Sequence, residues 1–211
     1  MLISNKVFTG GKNCLTLEGE DDVVIRDCAF TDPEGPADPY GHCLQLISCR
    51  RVHISRCVFT KGKRSEDAIN IFKSQGVTIA DCRVLGTGES ESGNGITIDY
   101  GSSGVTITRC KINTGNKCGI VVAYGSQHLI VGNDIDAAWM DILVRGFYTK
   151  VGKPTENPKV VCPVTDVVIH HNRHRIEIAP PPFTQRVEVS YEESASLPIS
   201  GESQKLPKRK G

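Results

Sequence analysis

The chain has 211 residues, 38% of them hydrophobic, and a formal net charge of +1 from 25 basic and 24 acidic side chains. That is enough apolar material for one sizeable core, and the balanced charge gives no general pull toward nucleic acid or an anionic membrane. No apolar run reaches the roughly 18 residues of a membrane-spanning helix, and the N-terminus lacks the charged-then-apolar order of a signal peptide, so the default location is cytoplasmic, or virion or secreted if the chain is a piece of a longer one.

Along the chain one phrase returns: VVIRDCAF at 23–30, VHISRCVF at 52–59, VTIADCRV at 77–84 and VTITRCKI at 105–112, with looser copies ISNKVF at 3–8, VGNDI at 131–135 and VVIHHNRHRI at 167–176. Its cysteines, Cys28, Cys57, Cys82 and Cys110, are 29, 25 and 28 residues apart. About ten residues before each copy stands a second phrase: CLTLEG at 14–19, CLQLIS at 43–48, AINIFK at 68–73, GITIDYG at 95–101, GIVVAYG at 119–125 and DILVRG at 141–146. Both alternate apolar with other residues, the period-2 mark of strands with one buried face. Both are rich in Val, Ile, Leu and Thr, and Gly, Ser, Asp and Asn separate them as turn residues do. No stretch carries a helical stripe.

Short strands repeated in one order stay equivalent if each repeat is a coil stacked on the last, like residue on like. The expected fold is therefore all-β, a single-stranded right-handed parallel β-helix of about six coils over residues 1–178. Residues 179–192 are a terminal strand or cap: the prolines of APPPF (179–183) cannot continue a ladder, and RVEVSYE (186–192) reads as one more strand. Residues 193–211, ending in the basic KLPKRKG, have a disordered composition. Met1 falls at the start of a strand phrase with no cap before it, so a second subunit covering that end is an expected partner.

The nine cysteines do not have zinc spacing, since no CxxC pair is present. One inward position on successive coils suits the small, apolar thiol, and a reduced ladder is the expected arrangement, with Cys14 and Cys43 as a second pair. In HHNRH, His170 and His174 share a face of a strand while His171 points the other way, a poor metal cluster.

Aligning the second phrase predicts the register. Leu15, Leu44, Ile69, Ile96, Ile120 and Ile142 share one inward site, and Leu17, Leu46, Ile71, Ile98, Val122 and Val144 the next. The outward rows are then Thr16, Gln45, Asn70, Thr97, Val121, Leu143 and Glu18, Ile47, Phe72, Asp99, Ala123, Arg145. Two residues before the first inward site come Asn13, His42, Asp67, Asn94, Cys118 and Met140. Coils about 4.8 Å apart make a polar strip over coils 2–4. Its candidate catalytic residues are His42, Asp67 and Asp99. Its candidate substrate-binding residues are Gln45, Glu66, Asn70, Asn94, Thr97, Tyr100 and Arg145, the last about two coils from Asp99. A carboxylate beside His42 should raise the imidazole pKa. The plainer reading is a solvated face whose Asn and Asp side chains bond the next coil. The loops 31–42, 61–67 and 86–94 emerge at one corner of the strip, where they would wall a groove, and the insertion 149–163 leaves later.

These ladders, with an inward Cys or Asn beside a turn, resemble the pectin-lyase-like superfamily over about residues 1–178. The resemblance implies the right-handed β-helix and a carbohydrate partner, but the fold serves lyases, glycosidases, epimerases, tailspikes and adhesins alike. Polygalacturonase-like members carry N-T-D, D-D, G-H-G and R-I-K on successive coils. SEDAINIF (65–72) is similar to the second, with Glu66 and Asp67 in its places. GNGITID (93–99) is similar to the third, with Asn94 where the histidine belongs. YGHCLQL and CGIVVAY lack the other two, which argues against an inverting polygalacturonase. A lyase of the group would want calcium between carboxylates on adjacent coils, for which Asp67 and Asp99 are the candidates. DPYGH (38–42), with Asp38, Tyr40 and His42, faintly resembles the D-P-H-E of alginate epimerases. Two classes remain open: a carbohydrate-binding or polysaccharide-modifying protein, lyase- or epimerase-like if catalytic, and a non-catalytic structural or receptor-binding module.

Overall fold

The structure, a computed structural model, describes residues 1–31, 33, 41–62, 65–86, 93–114, 117–145, 147–150, 159–162, 164–170, 175–181 and 184–190. The predicted groove loops at 34–40 (with Asp38 and Tyr40) and 87–92, most of the 149–163 insertion, His171 and His174, and the tail after Ser190 lie outside the described residues.

Each coil is built from three short strands. They stack into three parallel sheets of nine, six and seven strands. The nine-stranded sheet holds Val23–Ile25, Val52–Ile54 and their successors; the six-stranded one holds Ala29–Thr31, Val58–Thr60 and Arg83–Leu85. The seven-stranded one holds Leu15–Glu18, Leu44–Ile47, Ile69–Phe72, Ile96–Asp99, Ile120–Val122, Ile142–Val144 and Ile176–Ile178. The solenoid makes about five full turns, close to the six coils expected. Thr184–Ser190 pairs in parallel with Val164–His170, so the first sheet continues past residue 178. One antiparallel hairpin, Phe147–Lys150 with Lys159–Cys162, stands outside the repeat. No helix among the described residues is long and apolar enough to cross a membrane.

The core is a set of ladders. Cys28, Cys57, Cys82 and Cys110 are buried and stack, and the eight cysteines with described side chains are free thiols. Each ladder thiol donates to the carbonyl two residues back, such as Cys82 Sγ to Ala80 O at 3.2 Å, and reaches the previous coil's backbone. Neighbouring sulfur and burial push Cys82 up to about 12, so that thiol is uncharged at neutral pH. Asn133 ends the stack: its Oδ1 accepts from Cys110 N and its Nδ2 donates to Ile107 O. Next to it Phe8, Phe30 and Phe59 lie face to face, with centroids 4.9 and 4.7 Å apart.

The coil corners take left-handed backbone at recurring places. Asp22, Arg51 and Gln127 mark one corner, and Asp27, Arg56, Asp81 and Arg109 another. Side chains at the second corner alternate in sign from coil to coil, and charges at both corners form two-pronged pairs: Arg51 with Asp22, Arg56 with Asp27, Arg109 with Asp81. These pairs are exposed and screened, so they fix register more than they stabilise.

Candidate functional site

The seven-stranded sheet reproduces the predicted register pair by pair. Leu15, Leu44, Ile69, Ile96, Ile120 and Ile142 are successive partners, and so are Thr16, Gln45, Asn70, Thr97, Val121 and Leu143. Asp99 pairs with Phe72, and Arg145 follows two coils later, beyond Val144. Arg145 is exposed and its backbone N donates to Val122 O.

The row that opens each strand is a continuous hydrogen-bonded ladder. Asn13 Oδ1 accepts from the backbone N of His42 at 2.8 Å, His42 Nδ1 from that of Asp67 at 3.3 Å, and Asp67 Oδ1 from that of Asn94 at 2.8 Å. Within a coil the same side chains reach three residues on. Asn13 Nδ2 donates to Thr16, Asn70 Nδ2 to Asp67 Oδ2 at 3.4 Å, and Asn94 Nδ2 to Thr97 at 3.2 Å. Asn94 Nδ2 also reaches Asp67 Oδ1 at 3.1 Å, and Asn13 Nδ2 ties Gln45 Oε1 at 2.8 Å. Outward residues are thus interlocked and largely buried, Asp67 being 4% exposed, Thr97 6% and Asn70 8%. Outward on the next two coils the row turns apolar, where Cys118, Val121, Ala123, Met140 and Leu143 form a second small cluster.

The expected rise of the His42 pKa is not found. Burial holds the imidazole below its ordinary value, and the charge of Asp67 offsets only part of that. Adjacency was legible in the sequence, but the desolvation that wins was not. His42 is therefore neutral at pH 7. Its Nδ1 lone pair is committed to the Asp67 amide, which puts the hydrogen on Nε2, 4.0 Å from Glu66 Oε2. Asp99 moves the other way: burial raises it, the Tyr100 amide 2.7 Å from Oδ1 lowers it, Asp67 raises it further and Arg145 lowers it.

Three features were not read from the sequence: the burial of Lys61, the contact between Phe72 and the candidate Tyr100, and the exposure of Trp139. Lys61, in the 61–67 loop expected to wall a groove, is 1% exposed. Its Nζ donates to Gly93 O at 2.8 Å and Asn94 O at 3.2 Å, and burial lowers its pKa to about 8 against the pull of Asp67. Phe72 stacks on Tyr100, centroids 4.4 Å apart, at the far end of the Asp99 strand, and Tyr100 is 48% exposed. Trp139, exposed on a later coil, is the third.

Gly93 has φ +96°, and a Cβ there would lie 1.3 Å from Glu66 O. Gly93→Ala is expected to displace Asn94 from Asp67 and to cost more than about 2 kcal/mol. A thermal melt of the variant checks this, and an unchanged midpoint would contradict the packing of this corner.

Calcium does not fit this strip. Both Asp67 oxygens already accept amide hydrogens, where a hard cation wants bare carboxylates. No group of three or more His, Cys, Asp or Glu among the described residues is placed to hold a metal.

Comparison with known proteins places this geometry. The family described as "Right handed beta helix region" matches residues 1–151. No curated protein matches. Among solved structures, DFA-IIIase from Arthrobacter chlorophenolicus A6 in complex with GF2 superposes with a TM-score of 0.56 at 13% identity, covering 84% of this chain and 50% of that one. The periplasmic alginate epimerase AlgG superposes at 0.53 and 11%, covering 90% and 50%. The chain spans about half the length of these two structures, and at such identity the likeness is one of fold.

Proposed function

The chain belongs to the right handed β-helix region family, and from that premise we propose that it is a carbohydrate-binding protein whose site is the polar strip on coils 2–4. One observation carries this reading. Outward-facing Asn70, Thr97 and Asp99 lie on two adjacent coils of a rigid sheet, fixed by side-chain bonds, with an exposed aromatic at their end. Planar amides, a hydroxyl and a carboxylate held in one row, about 4.8 Å apart between coils, are the groups that recognise the hydroxyls of a sugar chain. Rigid strands remove most of the ordering cost of binding. The similar solved proteins point the same way by name, one being an alginate epimerase.

Binding is better supported than proton abstraction. A lyase or epimerase needs a base beside the substrate, and His42 offers an N–H rather than a lone pair toward Glu66. Asp67 accepts three hydrogen bonds and is buried. Asp99 and Glu66 are the more accessible acids.

The structural-module reading keeps one specific observation in its favour. The Asn13–His42–Asp67–Asn94 ladder bonds each coil to the next and would serve a scaffold equally well.

A glycan and polysaccharide array, run beside an ultraviolet assay for unsaturated uronate products, separates the two. The expected result is binding that falls at least about tenfold in the Asn70→Ala, Thr97→Ala double variant, with a native circular dichroism spectrum and no ultraviolet product. A folded protein that binds no polymer would favour the module. Turnover lost in Asp99→Asn would instead make the site catalytic.

A further inference from the structure

Resting on the carbohydrate reading, we infer that the strip selects chains by their free hydroxyls: Asn70 Oδ1 and Asp99 Oδ2 each take a hydroxyl hydrogen, so a sugar chain whose hydroxyls are O-methylated or O-acetylated is refused.

The bonds that lock the strip also fix what each side chain has left to offer. Asn13 Oδ1 is taken by the backbone N of His42, so Asn13 turns its Nδ2 to the outward row. That group donates to Thr16 Oγ1 and to Gln45 Oε1, both at 2.8 Å. With Oε1 engaged, Gln45 has its Nε2 hydrogens left. Asp67 works in the opposite sense, because a carboxylate only accepts. It draws the Nδ2 of Asn70 to its Oδ2 at 3.4 Å and the Nδ2 of Asn94 to its Oδ1 at 3.1 Å. Asn70 is left with Oδ1. Asn94 Nδ2 donates as well to Thr97 Oγ1 at 3.2 Å, which leaves Thr97 its own hydrogen to give. Two residues on along that strand, Asp99 Oδ1 accepts the Tyr100 amide at 2.7 Å and Oδ2 remains. The amide orientations are set by backbone donors and a carboxylate, groups whose roles do not interchange.

The remaining atoms meet solvent. Among the described residues, His128 Nε2 is the one buried side-chain nitrogen or oxygen without a partner. Gln45 Nε2, Asn70 Oδ1 and Asp99 Oδ2 have no partner there either, so they are not buried, although Asn70 as a whole is 8% exposed. Gln45, Asn70 and Thr97 are register partners on successive coils. Along the solenoid the row therefore reads donor, acceptor, donor at intervals of about 4.8 Å, with Asp99 as a second acceptor beside the last.

A hydroxyl serves either kind of group, whereas an ether or ester oxygen serves only the donors. Gln45 and Thr97 are therefore indifferent to substitution of the ligand, and Asn70 and Asp99 are not. Asp99 is the more demanding. Burial raises its carboxyl, and a donated hydrogen replaces hydration that the site withholds. An acceptor covered by a ligand that brings no hydrogen is left unpaired, and sites built around a hydroxyl reject analogues lacking it for this reason.

The test measures binding of dextran, mannan and xylan, each native and O-methylated, and of alginate, native and O-acetylated, at neutral pH. The expected result is a native polymer bound at least about tenfold more tightly than its derivative. Asp99→Asn is the decisive variant. The Tyr100 amide keeps an oxygen at the Oδ1 place, so an NH2 group replaces Oδ2 and a donor stands where an acceptor stood. The preference for the native polymer should then shrink to about threefold or less. Asn70→Ala should also narrow it, and serves if Asp99→Asn melts early. Thr97→Val removes a donor, so it should weaken both forms alike and keep their ratio. Equal binding of the two forms by the parent chain overturns the inference. So does a ratio unchanged in both Asp99→Asn and Asn70→Ala, which would mean exclusion by bulk, or one that Thr97→Val narrows as far. In each of those cases the strip stays a carbohydrate site. No binding to any polymer removes the carbohydrate reading and this inference together.

Discussion

Phe59→Ala is expected to lower the stability of the solenoid by about 3–5 kcal/mol. Phe59 is fully buried at the end of the aromatic stack, with Phe30 on one side and Val84 on the other. Deleting the ring removes its transfer free energy and leaves a cavity that neither neighbour can fill, because strand spacing fixes how closely coils approach. In a stacked array each coil touches only the next, so the loss should be felt as a break between the coils that carry Phe30 and Val84. Urea unfolding checks this. A shift in midpoint worth less than about 1 kcal/mol would mean that the coils re-close around the gap. The neighbour Val58 faces outward and is only half-buried, and Val58→Ala is the control that should cost much less.

The phenylalanines illustrate why so much of the fold was legible. Phe8, Phe30 and Phe59 end three copies of one phrase, and their ring stack follows from repeat identity alone. The same logic placed the four cysteines in one column and predicted every partner along Leu44, Ile69 and Ile96. Period-2 alternation fixes which face a residue takes, and coil stacking fixes its neighbour. Thr184–Ser190 was harder, since the prolines before it hide that the strand rejoins the first sheet.

The site was legible as a row of neighbours and not as an electrostatic environment. His42 and Asp67 were expected together and are together. What alignment does not supply is depth, and depth decides the sign of the His42 shift. Lys61 was missed for the same reason: the sequence places it in the 61–67 loop, and only closure of the coil buries its ammonium against Gly93 O. Tyr100 was placed at the strip's edge by count, but its contact with Phe72 depends on a left-handed corner that a tyrosine does not advertise. A clearer signal was passed over at His128. Just inside its corner each coil carries Val23, Val52, Val77, Val105 or Val167, and His128 stands in that column.

That substitution should make the protein acid-labile. His128 is 2% exposed; its Nδ1 accepts from Val105 N, and its Nε2 finds no hydrogen-bond partner among the described residues. Burial alone lowers its pKa from 6.5 to about 4. Between these values the unfolded chain binds a proton that the folded chain refuses, so stability falls as pH falls through that window and levels off below it. The full difference corresponds to about 3 kcal/mol. His42, also lowered by burial, adds to the same slope. Asp99, raised above 3.8, works against it, because its protonated form favours the folded state at the acidic end. Asp141, lowered by its pairing with Arg175, loses stability only below 3.8, outside the window. His128→Asn keeps an acceptor for Val105 N and does not titrate, much as Asn133 serves Cys110. Urea midpoints from pH 7 to 4 should therefore fall steeply for the parent chain and flatten in His128→Asn. Parallel slopes in the two proteins would assign the acid sensitivity elsewhere. A steeper slope in the variant would mean that the buried imidazole already holds its proton at pH 7.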